Sequence, residues 1–160
     1  MRVLIVAVGK LKDAPERDMV DRYVARFNAT GRGVGLGPLD IVEMPESRAA
    51  TAELRKADEA VRLAKAAGTQ SLLIALEESG QQVSSTAFAA RLQALANGGQ
   101  KTTAFLIGGP DGHDPAFAKQ AAMRLSLGAL TLPHGLARAV LTEQLYRAAT
   151  ILSGHPYHRP

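Results

Sequence analysis

The chain contains no cysteine and few aromatic residues. The lack of cysteine excludes a disulfide scaffold, a thiolate zinc site, an iron–sulfur cluster and a cysteine nucleophile, and it fits a reducing cytoplasm. Phe and Tyr together make up only 4% of the residues. This scarcity argues against a platform of aromatic rings on which the bases of a single-stranded nucleic acid would stack.

Long apolar runs are also missing. No stretch approaches the roughly 18 consecutive apolar residues that a membrane span needs. The short apolar run after Met1 is soon followed by acidic residues and has no small-residue cleavage pattern, so it does not resemble an export signal. We therefore expect no membrane contact and a cytoplasmic location.

The composition that remains is typical of a soluble globular protein. The chain has 160 residues, of which 46% are hydrophobic and 21% are charged. These values exclude intrinsic disorder and collagen-like or low-complexity architectures. No linker or internal repeat divides the chain, so we expect residues 1–160 to form one domain.

The charge is mildly positive and unevenly placed. The formal net charge is +4, and the region from His113 onward supplies +3 of it, from five basic and two acidic residues. All four histidines lie in the same region. A mild excess of this kind is weak support for a nucleic-acid partner, and the alternative interpretation is a set of solvated charges at one end of a domain.

Short apolar runs alternate with amphipathic segments. The runs predict strands at 3–8, 39–44, 71–76 and 102–107. Caps and breakers predict five helices: from a cap at Asp13 to the glycines at 31, 33, 35 and 37; from Arg48 to Ala67; from Ser84 or Ser85 to Asn97; from Asp114 to about Leu125; and a last helix near Leu136 to Leu152.

The apolar spacing assigns a buried face to most of these helices. The predicted faces are Met19, Tyr23 and Phe27; Leu54, Ala57, Val61 and Ala64; Phe88, Leu92 and Leu95; and Leu136, Val140, Leu141, Leu145, Ala148 and Leu152. Strands that alternate with helices at this spacing predict an α/β fold. Its parallel sheet is expected to carry helices on both faces.

A glycine-rich segment, GGPDG, follows the run at 102–107. Ligands of open parallel sheets bind beyond the carboxyl ends of the strands, so this segment is a candidate binding loop, and a simple tight turn is the alternative. It is not a known phosphate loop. The sequence has neither the G-x-x-x-x-G-K-[ST] pattern nor the G-x-G-x-x-G pattern.

Two polar pairs near the end of the chain are ambiguous. His155 and His158 have H-x-x-H spacing, but two histidines without a nearby Cys or carboxylate supply too few ligands, so we expect no metal site. Glu143 and Arg147 are four residues apart on the last predicted helix. Taken alone they would form a surface ion pair worth about 0.3 to 0.5 kcal/mol.

The order of these motifs is more distinctive than any one of them. The region from Phe105 to Pro160 contains LIGG, GALTLPH, a helix that carries Arg138 and Arg147, and HPYHR. In this order they resemble the RlmH family of bacterial 23S ribosomal RNA pseudouridine N3-methyltransferases, which belong to the SPOUT class. The opening RVLIVAVGKLK and the segment LEESG extend the resemblance over the whole chain, whereas His113 and the glycines at 31–37 are not family features.

The resemblance implies a homodimer with a C-terminal trefoil knot that binds S-adenosylmethionine without a metal. The apolar residues Val140, Leu141, Leu145, Ile151 and Leu152 of the last helix fit the dimer. The cofactor residues implied by matching motifs are Leu76, Gly108, Leu127, Gly128, Ala129, Leu130, Thr131 and Leu132. We expect Gly108→Val to place a side chain in the path of the cofactor.

The implied substrate is the assembled ribosome, and the implied reaction removes the proton on N3 of a pseudouridine. His158 is the candidate base, with Arg159, Arg138 or Arg147 as the cation that stabilises the oxyanion and Glu143 as a positioning group. The alternatives are that His158 only stacks on the RNA, that Arg138 binds phosphate, and that Glu143 and Arg147 only brace the helix. We expect the tail 155–159 to serve substrate and catalysis rather than folding.

Two other functions stay open at this point. One keeps the knot but changes the target, which makes the protein a transfer-RNA ribose methyltransferase. The other is a ribosome-binding or nucleotide-binding factor that keeps the pocket without turnover. Binding of S-adenosylmethionine and transfer of its methyl group would separate them.

Overall fold

The architecture is one parallel sheet of five strands. The computed structural model describes residues 1–12 and 15–159. Its strands are β1 (Arg2–Val8), β2 (Leu39–Met44), β3 (Ser71–Gln82), β4 (Thr102–Ile107) and β5 (Met123–Ser126). They lie in the order β2-β1-β4-β3-β5, and each neighbouring pair is parallel. The predicted fold class is confirmed.

Within the described residues, four helices connect the strands and a fifth follows β5. They are α1 (Pro15–Gly31), α2 (Ala52–Ala67), α3 (Ser85–Asn97), α4 (Pro115–Ala118) and α5 (His134–Ser153), and a short 3-10 turn (Arg32–Val34) follows α1. Ser84 caps α3 as predicted, by accepting a hydrogen bond from the backbone N–H of Ala87. The cap predicted at Asp13 lies outside the described residues. Helix α2 starts later than the predicted Arg48, because Thr51 is its cap.

Helices cover both faces of the sheet, as predicted. The side chains of Val3, Ile5 and Ala7 on β1 pack in a cluster with α1, α3 and α5. The intervening residues Leu4 and Val6 pack on the opposite face, in a cluster that includes α2 and Phe117 of α4. The alternation follows from the twofold period of a strand that is buried on both sides.

Three predicted helix faces are wrong, that of α2 completely and those of α1 and α5 in part. On α2, all four residues of the predicted face are exposed, Leu54 at 57% and Val61 at 69% among them, and the helix instead buries Glu59, Ala60, Leu63 and Ala67. On α1 and α5, Met19, Leu136 and Val140 are also exposed. The spacing of apolar residues could not distinguish between adjacent faces of these helices. Contact with the sheet decides which face is buried.

The chain after GGPDG is not one long helix. Asp114 is the predicted cap, and its Oδ1 accepts a hydrogen bond from the Phe117 N–H at 2.8 Å. The helix nevertheless ends at Ala118, and the residues that were expected to complete it form β5. Met123 and Leu125 are buried while Arg124 is exposed, which is the period of a strand.

Strand β3 continues six residues beyond the predicted end at Leu76, to Gln82. Its pairing with β5 shifts register between Leu76 and Gln81. Gly80 lies in this irregular segment, and a Cβ there would meet backbone atoms of Arg124 and Leu125 at 2.8 Å. Only glycine permits this approach of the two strands. The extension carries polar side chains past the end of the sheet.

Candidate functional site

A cleft of about 1080 Å³ opens at the carboxyl ends of β3, β4 and β5. One wall is the extension of β3, a second is the GGPDG turn after β4, and a third is the loop that joins β5 to α5. This is the edge at which parallel sheets bind ligands. The cleft is lined by all eight residues predicted to hold the cofactor: Leu76, Gly108, Leu127, Gly128, Ala129, Leu130, Thr131 and Leu132.

Hydrogen bonds fix the loop after β5. Ser126 Oγ donates to the carbonyl oxygen of Gly128 at 2.9 Å and accepts from the Gly128 N–H at 3.2 Å. Farther along the loop, Thr131 Oγ1 donates to Glu78 Oε2 at 2.6 Å. Since Glu78 belongs to the extension of β3, this bond joins two walls of the cleft.

The GGPDG turn is held from behind by α2. The Arg55 guanidinium donates two hydrogen bonds to the Asp111 carboxylate, at 2.7 and 3.1 Å. This contact lowers the pKa of Asp111 below its ordinary value. A Cβ on Gly108 would meet backbone atoms of Gly112 at 3.1 and 3.3 Å. Gly108→Val would therefore also strain the turn itself, and its expected effect on the path of the cofactor stays a prediction.

His113 ends the turn and also lines the cleft. One ring nitrogen, Nε2, lies 3.2 Å from the carbonyl oxygen of Leu106, and Nδ1 has no partner among the described residues. Because a carbonyl only accepts, this contact assigns the proton of the neutral ring to Nε2. Burial lowers the pKa of His113 and so favours the neutral ring.

Arg138 lies in the core, away from the cleft. Its Nη1 donates to Glu43 Oε1, and its Nη2 donates to the carbonyl oxygen of Gly9 at 2.9 Å. Burial is the largest influence on Glu43 and raises its pKa, but the Leu11 N–H, Arg17 and Arg138 together outweigh it and lower the pKa below its ordinary value. The guanidinium of Arg138 is fully buried. The expectation that it contacts a base or a phosphate is therefore corrected, and in this chain it braces α5 against β1 and β2.

Glu143 and Arg147 form more than a surface pair. Arg147 Nε and Nη2 donate to Glu143 Oε1 at 3.0 and 2.6 Å, and the hydroxyl of Tyr157 donates to the same oxygen at 3.0 Å. The Arg147 guanidinium also lies over the Tyr157 ring, 4.9 Å from its centroid. Burial, with the hydrogen bonds to Tyr23 and Glu143, raises the pKa of Tyr157.

The C-terminal tail folds back along α5. The helix ends at Ser153, and Gly154 caps it in a left-handed conformation. The Tyr157 ring then packs 4.7 Å from the ring of Tyr146 and joins the core cluster. The expectation that the tail serves substrate and catalysis rather than folding is therefore wrong for Tyr157. His158 is half-buried with Nδ1 unpartnered among the described residues, and Arg159 is exposed.

The chain matches the family model described as "Predicted SPOUT methyltransferase" over residues 1–158. It is 51% identical to the ribosomal RNA large subunit methyltransferase H of Brucella anthropi, with 99% of each chain covered. The same protein of Bradyrhizobium diazoefficiens is 48% identical, again over 99% of each chain. This chain belongs to the RlmH family of SPOUT methyltransferases.

Among solved structures, the SpoU methyltransferase AviRb of Streptomyces viridochromogenes in complex with AdoMet is a distant match. It is 18% identical with a TM-score of 0.43, and the match covers 91% of this chain and 57% of that chain. A likeness of this size does not bear on the site.

The cofactor of a SPOUT methyltransferase is S-adenosylmethionine, and the cleft has the chemistry to hold it. The leucines at 76, 125, 127 and 130 offer apolar walls to the flat adenine. Glu77 and Glu78 also line the cleft, and their carboxylates, which pair with Arg124 and Thr131, add negative charge that can balance the positive sulfonium. Within the described residues, no group of three or more His, Asp or Glu side chains could hold a metal ion.

The structure places the five predicted catalytic residues outside the cleft. Among the described residues, the lining of the cleft does not include His158, Arg159, Arg138, Glu143 or Arg147. Glu143 and Arg147 lie about 9 Å or more along α5 from the cleft residue Ala137. Tyr157 of the tail contacts both of them.

A helix that spans a membrane must be both long and apolar. None of the helices in the described residues meets both requirements.

Sequence reasoning missed several residues of the site. Glu77, Glu78 and Ser79 line the cleft, whereas the motif LEESG that contains them indicates only the family. Polar residues directly after a buried parallel strand were the available signal. Arg55 and Glu59 lie on α2, far in sequence from GGPDG, and nothing in the pattern of the sequence pointed to their contact with the turn.

Proposed function

We propose that this S-adenosylmethionine-dependent RNA methyltransferase methylates N3 of a pseudouridine in the 23S ribosomal RNA of the assembled ribosome, position 1915 in the family's convention. The observation that carries the proposal is the cleft at the carboxyl edge of the sheet, where the eight motif residues converge. The names of the relatives, ribosomal RNA large subunit methyltransferase H, support the choice of substrate. Cytoplasmic ribosomes are the expected site of action.

The reaction moves a methyl group from sulfur to nitrogen and releases a proton. S-adenosylmethionine supplies an activated methyl group on its sulfonium. The loop at 127–132 and the GGPDG turn would hold the donor, and the apolar walls would exclude water from the reacting atoms. Methylation of N3 would release its imide proton, which a base of the protein must accept.

We assign the proton transfer to the tail. A ring nitrogen of His158 accepts the imide proton, and Arg159 stabilises the negative charge that develops on the adjacent carbonyl oxygens. Glu143 and Arg147 orient the tail through Tyr157, which contacts both of them. The tail is thus fixed on a rigid helix rather than left to move freely.

We also propose that the working unit is a homodimer. Within one chain the tail lies away from the cleft, so a complete site requires the tail of one protomer beside the cleft of its partner. Leu136 is 41% exposed and Val140 is 36% exposed, one turn apart on α5, and Leu130 of the cleft loop is 81% exposed. These apolar side chains form a surface that a second copy can cover. The trefoil knot stays a prediction.

The experiment supplies radiolabelled S-adenosylmethionine with assembled ribosomes, free 23S ribosomal RNA or transfer RNA, and then maps the labelled nucleoside. Label on N3 of a pseudouridine, with ribosomes as the preferred substrate, supports the proposal. Label on a ribose of transfer RNA would instead favour the second candidate, and binding of the cofactor without transfer would favour a non-catalytic factor.

A matched pair of variants tests the position of the cofactor. Ala129 is exposed and lines the cleft, whereas Ala64 is exposed on α2 outside it. Ala129→Trp fills the cleft and is expected to weaken S-adenosylmethionine binding by about 10-fold or more, since a bulky ring occupies space that the ligand needs. Ala64→Trp should leave the affinity unchanged. Equal affinities measured by calorimetry would refute this placement.

A further inference from the structure

A second concave surface lies at the edge of the sheet, next to β5. This groove has a volume of about 720 Å³ and is bounded by β5, the first half of β3, α3 and the segment that follows α4. Its floor is apolar, with Leu72, Ile74 and Leu95 among the lining residues. Its rim carries the exposed side chains of Arg91, Lys119 and Arg124. We call this surface the β5 groove.

The charge of the β5 groove has one sign. Its lining includes three cations and no carboxylate among the described residues. Arg91 Nη1 donates to Gln81 Oε1 at 3.4 Å and to Met123 Sδ at 2.7 Å, which are uncharged partners. In the described part of the chain, neither Arg91 nor Lys119 takes part in a salt bridge. Their charges are therefore available to an anionic partner.

The β5 groove lies next to the cofactor cleft. Arg124 lies on the groove and pairs with Glu77, a cleft residue, at 3.3 Å. Met123 and Arg124 line the groove, and Leu125, the next residue of β5, lines the cleft. A polyanion bound in the groove would therefore run directly toward the place where the methyl group is transferred.

We propose that the β5 groove binds the sugar–phosphate backbone of the RNA that flanks the target nucleotide. The proposal rests on the proposed function, because it takes RNA as the substrate. Guanidinium and ammonium groups around a groove without carboxylates suit phosphates, which fix the register of a nucleic acid without reading its sequence. The lining has no aromatic ring among the described residues, so the contact is to the backbone rather than by stacking of bases.

A protein strand is the competing occupant, since β5 is an edge strand with one unpaired side. Charge decides between them. A protein partner would have to supply a matching set of acidic side chains, whereas every RNA segment carries one negative charge per nucleotide. The groove also adjoins the cleft in which an RNA base must be placed for reaction.

The test combines Arg91→Gln with Lys119→Gln and uses Lys65→Gln as the matched control, because Lys65 is an exposed cation on α2 outside the groove. Assembled ribosomes that lack the modification serve as substrate, and a stem-loop of the same RNA serves as the binding probe. Binding is measured over a series of salt concentrations. Circular dichroism and S-adenosylmethionine calorimetry on each variant report the fold and the cofactor site.

The loss of two phosphate contacts should weaken RNA binding about 10- to 30-fold near physiological salt and reduce the slope of log Kobs against log salt by about 1.4 to 1.8. KM for ribosomes should rise by a similar factor, while kcat at saturating ribosomes and the cofactor affinity stay unchanged. The Lys65→Gln control should bind RNA as tightly as the parent protein, apart from the general effect of removing one positive charge.

Two results would overturn the proposal. One is a double variant with the salt slope and KM of the control. The other is a double variant that keeps the salt slope of the parent protein but has a different molecular mass in light scattering. This result would show that the groove contacts protein. Failure of the proposed function would give a different result. The protein without substitutions would then not methylate ribosomes, but the salt slope of its RNA binding would still report on the groove.

Discussion

The carboxylate of Glu59 lies directly behind Gly109, so that a Cβ on Gly109 would meet Glu59 Oε2 at 2.8 Å. Glu59 is buried on α2, and its Oε1 accepts a hydrogen bond from the Ser47 N–H at 2.8 Å. One turn earlier on the same helix, Arg55 holds Asp111. Helix α2 therefore supports the GGPDG turn from the side opposite the cleft.

This contact predicts that Gly109→Ala is costly. The new methyl group would clash with Glu59 Oε2 at 2.8 Å and with Val8 Cγ1 at 3.1 Å. Overpacking of this kind costs about 1 to 3 kcal/mol of unfolding free energy, and displacement of the turn should weaken cofactor binding as well. The control is Gly33→Ala, since a Cβ there meets nothing within 4 Å. Urea unfolding that shows the two variants to be equally stable would contradict the contact.

His113 predicts a pH dependence of stability. Its pKa in the unfolded chain is near 6.5, and burial lowers it in the folded protein. As the pH falls below about 6.5, the unfolded chain takes up a proton that the folded chain resists, so the folded state loses stability, by at most about 1.4 kcal/mol per pH unit. His113→Leu should remove this part of the loss. Melting temperatures of both proteins between pH 7.5 and 5.5 test it, and equal slopes would contradict it.

Arg138 predicts a structural rather than a catalytic phenotype. Arg138→Met leaves the Glu43 carboxylate without one of its cations and should cost about 3 to 5 kcal/mol of unfolding free energy, as is typical when one partner of a buried pair is removed. The fraction of the variant that stays folded should bind S-adenosylmethionine with the affinity of the parent. A variant of normal stability that had lost only methyl transfer would instead restore the catalytic role.

Within the tail, we expect Tyr157 to contribute to stability and the residues after it to contribute to methyl transfer. Tyr157→Phe removes the hydrogen bond to Glu143 and should cost about 0.5 to 1.5 kcal/mol of unfolding free energy, while the ring keeps its packing on Tyr146. His158→Ala should leave stability nearly unchanged and reduce methyl transfer about 100-fold or more if its ring accepts the imide proton. Full activity of the His158 variant on ribosomes would exclude it as the base.

Regular elements could be predicted from the sequence because their signals are local. The strand run at 102–107 and the cap at Ser84 are local patterns that the structure reproduces. The end of β3 could not be predicted, because the polar residues after Leu76 become a strand only through pairing with β5, and Gly80 makes that pairing possible. Tertiary contact here overrides local propensity.

The candidate site could likewise be predicted only in part. Its cofactor residues follow from contiguous motifs, and the structure brings them to one cleft. The burial of Arg138 depends on Glu43, which is 95 residues away in sequence, and the support of Gly109 depends on Glu59. Contacts between such distant positions leave no periodic signal. The separation of the tail from the cleft likewise depends on how the chain folds after Gly154.

The most direct test of the proposed function is nucleoside mass spectrometry of large-subunit ribosomal RNA from a strain that lacks this protein. The expected result is the loss of one N3-methylated pseudouridine, its return when the intact protein is expressed, and no return with Ala129→Trp, whose side chain fills the cleft. An unchanged set of methylated nucleosides in the strain without the protein would contradict the assignment.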